Sequence, residues 1–221
     1  MNTANLHLSE DELQLVQHAD WVLTKNKIIG KVYELFGSLS VVMRSLLERS
    51  GLPAEVLQPA PKIFKGENYK GLPYVMLDYP RHFSHHDILA MRNFFWWGNY
   101  FSVTLHLKGK YKEIFGPALL ENVDILREAS FHLCVSDVEW RHELDEDNYQ
   151  LLETMDQEQV RQIFERPYFL KLSAAVSLTK WNESFPLLEQ RFRVLLYAMG
   201  VNFPAGEKGL LPGNSKAGFG L

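Results

Sequence analysis

The residues able to do chemistry in this chain gather in a few polar clusters, and the densest is LDYPRHFSHHD at 77–87. It holds Asp78, Arg81, His82, His85, His86 and Asp87. Three histidines within five positions, with carboxylates nearby, supply the donors that zinc, nickel or iron accept. The spacing H-x-x-H-H matches no metal motif, and adjacent histidines on one helix point about 100° apart. The stretch also reads as an ordinary helix start, with Ser84 as N-cap and Asp87 in the first turn. No metal is therefore assigned, and a His82/His85/His86 metal site stands only as an alternative. Arg81 and Arg92 carry the planar guanidinium that grips carboxylate or phosphate, and a nearby Asp or Glu would serve either of them as well.

A second constellation is His106 and His132, with Asp78 able to join them. Imidazoles titrate near neutral pH, so the two could form the acid/base pair of a hydrolase. Cys134 could add a nucleophile, but it shares a strand with His132, and a lone cysteine in an apolar strand behaves as a small buried hydrophobe. VEWRHELDEDNY (138–149) carries Glu139, His142, Glu143, Asp145 and Asp147. It lacks the glycine-centred rhythm of a calcium loop and reads as a solvated acidic loop. GENYKG (66–71) lacks the G-K-[ST] ending of a phosphate loop, and no G-x-G-x-x-G occurs, so no cofactor is expected.

The elements that must position these groups follow from periodicity. Residues 9–50 read as two helices: Ser9 and Glu12 have capping-box spacing, and Ile28, Val32, Leu35, Leu39, Val42 and Leu46 form an apolar stripe. A bend near Lys25–Lys27 divides the pair, and Gly51-Leu52-Pro53 ends it. Residues 51–71, with Pro53, Pro59 and Pro61, read as irregular. Strands are expected at 72–79, 94–107, 131–137 and 168–179. Helices are expected at 85–94, at 111–129 with Pro117 opening its main part, at 157–165, and along Phe185, Leu188, Phe192, Leu195 and Met199. The tail over 204–221, rich in glycine, reads as loose.

The run NFFWWGNYF (93–101) is the most aromatic stretch. Read as part of one strand over 94–107, it alternates between two faces. Phe95, Trp97, Asn99, Phe101, Val103, Leu105 and Leu107 make a nearly dry face. Trp96, Gly98, Tyr100, Ser102, Thr104 and His106 make a mixed one. The same split recurs in 131–136 and in 168–178, which place His132, Cys134, Lys171 and Ser173 on the mixed side. Such a face is solvated, covered by a loop, lined as a ligand cleft, or used for self-association.

Composition narrows the classes. The 221 residues are 46% hydrophobic and 23% charged, as in folded domains, so a single domain over 1–221 is expected. A net charge of −4 argues against nucleic acid and anionic membrane as partners. One cysteine, no leader pattern and no spanning apolar run point to a cytoplasmic protein.

The resulting expectation is an α+β fold: a mostly antiparallel sheet of about four to five strands, helices on one face, and an N-terminal helical pair packing on the body. The expected function is binding of a small molecule or a protein partner through the mixed face. Asp78, Arg81, His82, Trp96, Tyr100, His106 and His132 would line the site. The alternatives are the hydrolase above and a homodimerising protein that uses the N-terminal helices or the aromatic face.

Overall fold

The computed structural model describes residues 6–201, and the tail expected to be loose over 204–221 lies outside them. Seven strands form one antiparallel sheet. They are β1 (Lys62–Tyr69), β2 (Leu72–Phe83), β3 (Ile88–Trp96), β4 (Tyr100–Lys108), β5 (His132–Cys134), β6 (Tyr149–Leu151) and β7 (Phe169–Ser177). The spatial order is β1-β2-β3-β4-β7-β5-β6. The α+β class and antiparallel sheet agree with the sequence reading, but the sheet is wider than four or five strands. β1 was hidden by its flanking prolines, which sit just before Lys62 rather than within the strand. β6 is only three residues long.

The segment expected to be helical at 85–94 is largely β3. This strand is buried on both faces, so its side chains read as a continuous apolar run, and a short run of that kind has no period to separate strand from helix. Nor is 94–107 one strand. The chain turns at Trp97-Gly98-Asn99, where Gly98 takes φ +73°, a conformation that glycine adopts without steric cost. The turn pairs Trp96 with Tyr100 and Phe95 with Phe101. Odd residues therefore meet odd ones and even meet even, and the two-face assignment survives the break.

The helices are α1 (Glu10–Gln17), α2 (Ala19–Leu47), α3 (Ala54–Leu57), α4 (Lys110–Glu121), α5 (Val123–Glu128), α6 (Gln157–Phe164) and α7 (Ser184–Ala198). Ser9 and Glu12 form the expected capping box of α1. The first two helices divide at His18, which has non-helical backbone angles, and not at Lys25–Lys27. Pro117 lies inside α4 rather than at its start.

Helices α2 to α7 bury side chains in one large core against one face of the sheet. Val32, Phe36, Leu39 and Met43 of α2 join Val75, Leu77, Met91, Phe101, Val103 and Leu105 there. Each fully buried apolar side chain contributes about 1.5–3 kcal/mol. Leu35 and Val42, expected in the stripe, flank it instead. Helix α1 buries nothing, so of the N-terminal pair only α2 packs on the body.

The opposite face holds two small clusters without a helical residue: Met76, Phe94 and Trp96, then Cys134, Tyr149 and Phe169. Residues 135–148, between β5 and β6, provide its cover.

Candidate functional site

Strand register draws two polar rows across the mixed face. The first runs Asp78, Arg92, Thr104, Ser173, His132 over five neighbouring strands. The second runs Ala90, His106, Lys171. Within the first row, Arg92 Nε and Nη2 each donate to Asp78 at 2.7 Å, a bidentate pair. Thr104 and Ser173 share a hydroxyl hydrogen bond of 2.8 Å.

The 135–148 segment closes over these rows through its own polar groups. Lys171 Nζ donates to the carbonyls of Glu139 (2.9 Å) and Arg141 (2.6 Å). Glu139 lies 3.1 Å from His106 Nε2 and 3.0 Å from Lys108 Nζ. His142 Nε2 meets Arg92 Nη1 at 2.9 Å. Because a guanidinium only donates, His142 must accept there, which leaves it neutral with its proton on Nδ1. Trp140 lies against His106, with ring centroids 5.4 Å apart, and against Phe83 at the rim.

The aromatic run anchors the other end of the cover. Tyr69 stands edge-on to Phe94 and Trp96, and its hydroxyl donates to Glu143 while accepting from the His142 backbone N–H at 2.8 Å. Glu143 is buried and also pairs with Arg141 (2.7 Å) and Lys70 (2.9 Å). The Leu144 N–H donates to Tyr100 Oη at 2.9 Å. Trp96 gives its indole N–H to the Tyr69 carbonyl. The acidic loop expected to be solvated is thus a strap with a buried carboxylate.

The electrostatics follow from this burial. Burial pushes Lys171 down to about 8. Burial and the nearby charges of Arg92, Lys171 and His106 hold His142 at about 2, and burial also lowers His106. The contact with His106, helped by Lys108, outweighs burial and brings Glu139 to about 2. Burial raises Tyr100 to about 12, and burial together with the bond to Glu143 raises Tyr69 to about 12. Burial opposes ionisation of Glu143, but Tyr69, Lys70, Arg141 and its own backbone N–H prevail and hold its carboxyl well below the usual range. The Cys134 thiol is buried and raised, the opposite of an activated nucleophile.

The structure separates the residues that the sequence grouped. Asp78, Trp96, Tyr100, His106 and His132 do share the mixed face, but not one pocket. Trp96 and Tyr100 sit in the aromatic anchor. Asp78 is bound to Arg92. His106 and His132 lie two strands and one row apart, roughly 12 Å at ~4.8 Å per strand and ~3.4 Å per residue. Lys171 and Ser173 of β7 stand between them. No Asp78-linked His106/His132 pair is formed.

His82 faces the helices, edge-on to Tyr111 of α4. The cause is a bulge: Asp78 pairs with Arg92 but Arg81 with Ala90, so two β2 residues, Tyr79 and Pro80, oppose one β3 residue. The extra residue swaps the faces of everything after it. Arg81 accordingly lies on the mixed side and donates to the Ala60 carbonyl at 2.7 Å. His85 and His86 lie edge-on to each other at the exposed turn after β2. Among the described residues no group of three His, Cys, Asp or Glu is arranged to hold a metal ion.

Sequence reasoning left Lys171, His142, Glu139, Trp140 and Glu143 out of the site. Lys171 carried a usable signal: it is the one charged residue in FLKLSAAVS. The others lie in a segment with no period to read.

Phe83, Arg92, His106, Trp140, His142 and Lys171 surround a recess. Its free space is about 10 Å³ for water centres, room for about one water molecule. A roomier groove of about 440 Å³ between α4 and residues 164–168 contains none of these groups.

Comparison with protein-family models, curated proteins and solved structures finds no match. Among the described residues no helix is long and apolar enough to cross a membrane.

Proposed function

We propose that the protein binds a small anion, a carboxylate- or phosphate-bearing molecule, between the polar rows of the sheet and the 135–148 strap. The observation that carries this reading is Lys171. It is a fully buried cation, and among the described residues no carboxylate lies within ion-pair distance of it. Burying a charge without a counter-charge is costly, and an incoming anion would offset that cost. Two of the three ammonium protons are used on the strap carbonyls. The ammonium also faces the Tyr149 ring, 5.5 Å from its centroid, which compensates the charge only in part. Its third proton makes no hydrogen bond among the described residues, and an anion beside Arg92, His106 and His142 would accept it. The strap must lift to admit anything larger than water, and Trp140 of the strap and Phe83 of β2 form the exposed rim of the recess.

A cytoplasmic location and a small-molecule partner rather than nucleic acid belong to the same reading. They rest on the single Cys134 and the net charge of −4.

Thermal unfolding at constant ionic strength tests the proposal with phosphate, sulfate and a series of mono- and dicarboxylates. An anion at one hundred times its Kd stabilises by about 2.7 kcal/mol, which raises Tm by roughly 5–10 °C in a protein of this size. The rise should vanish in Lys171→Met. A panel that leaves Tm unchanged, or raises it equally in the variant, overturns the reading.

A further inference from the structure

The mixed face leaves the N-terminal arm unexplained. Helix α1 has eight residues and buries none of them, and isolated helices shorter than about 12–15 residues are marginal in water. Leu13, Leu15, Val16, Trp21, Val22 and Leu23 are each 46–70% exposed. Trp21, Val22 and Leu23 are consecutive on α2 and therefore point in three directions around it. Apolar side chains on three sides of one helical turn cannot all be covered by a single flat surface. Where α1 meets α2, a groove of about 460 Å³ opens beside Leu15, Trp21, Ile28 and Trp97.

The charges of the arm are split by sign along its length. Glu10, Asp11 and Glu12 fill the first turn of α1, and Asp20 opens α2. The basic residues begin only at Lys25, Lys27 and Lys31. Lys25 pairs with Glu67, whereas Lys27 and Lys31 are exposed. An arm with an acidic end, an apolar middle and a basic end is complementary to itself run in the opposite direction.

We infer that residues 10–31 form a self-association arm whose occupant is the same arm of a second copy of this chain. In a two-fold arrangement, Glu10 and Asp11 of one copy face Lys27 and Lys31 of the other. The apolar side chains of each α1 then enter the groove of its mate. The two angled arms enclose each other on several sides, as a helical bundle does.

Light scattering on the full chain, at protein concentrations up to about 0.1 mM, tests this. The wild type should run at twice its 25.6 kDa chain mass. Trp21→Ser with Leu23→Ser should give a monomer with an unchanged circular dichroism spectrum, because both side chains are exposed in the single chain. The pairs Glu10→Lys/Asp11→Lys and Lys27→Glu/Lys31→Glu should each weaken the dimer at least tenfold. Mixing the two charge variants should restore a dimer containing one copy of each, because both sets of opposite charges are then rebuilt. A wild type that stays monomeric, a dimer indifferent to Trp21→Ser/Leu23→Ser, or a mixture that does not pair overturns the inference. An arm that binds only a different protein does so too.

Discussion

Replacing Lys171 by Met removes the buried ammonium and keeps most of the volume of its stem. The native pKa of Lys171 is about 8, against 10.5 for an exposed lysine. At about 1.4 kcal/mol per unit, holding the proton inside costs the folded state about 3 kcal/mol below pH 8. Between the two values the unfolded chain keeps a proton that the folded chain has released. Wild-type stability therefore rises with pH across that window, and the penalty is gone above the unfolded pKa. The raised pKa values of Tyr69 and Tyr100 act in the opposite sense at the alkaline end, but they are common to both proteins and cancel in the difference.

At neutral pH the variant is relieved of the charge but leaves the Glu139 and Arg141 carbonyls without their donor. Each orphaned acceptor costs about 1–3 kcal/mol, so the two effects nearly balance and the pH slope is the informative quantity. Urea unfolding followed by tryptophan fluorescence gives both stabilities. From about pH 7 to about pH 10 the difference should move in favour of the wild type by about 2.5 kcal/mol. A flat difference would mean that Lys171 titrates like an exposed lysine. The strap would then not bury it, and the anion site built on it would fall.

Two other consequences follow from the strap. His142 is held neutral down to about 2 while the unfolded chain takes up a proton near 6.5. The stability it lends is present above that value and is lost as pH falls through it, so His142→Gln should flatten the acid limb above the carboxylate range. The imidazole resonance of His142 should not move there, and a midpoint near the ordinary histidine value would refute its burial. Tyr69→Phe removes the donor to Glu143 and the acceptor of the His142 N–H. It should cost about 1–3 kcal/mol and speed amide exchange in 140–144 ahead of the central strands; unchanged protection would show that Tyr69 does not latch the strap.

Much of the sheet was readable because alternation is a local property. In β4, β5 and β7 the even–odd split of side chains survives in the structure, and alternation alone puts Lys171 on the face it occupies. The Ser9–Glu12 cap and the apolar face of α7 were likewise local signals. β3 failed for a physical reason: packed on both sides, it has no polar phase to reveal its period. β1 failed because its prolines stand at the boundary, where they cost the ladder nothing.

The sequence by itself determined the α+β class, a sheet with one dry and one mixed face, and a composition fit for a folded chain. Only the tertiary structure decided which polar groups meet. One extra residue at Tyr79–Pro80 turned His82 toward the helices, away from the face that carries Asp78. The insertion of β7 beside β4 put Lys171 and Ser173 between His106 and His132. The 135–148 strap then brought Glu139, Trp140, His142 and Glu143 over a face that strand periodicity could only describe as open. Register, bulges and loop paths depend on contacts between residues far apart in the chain, and no local pattern carries them.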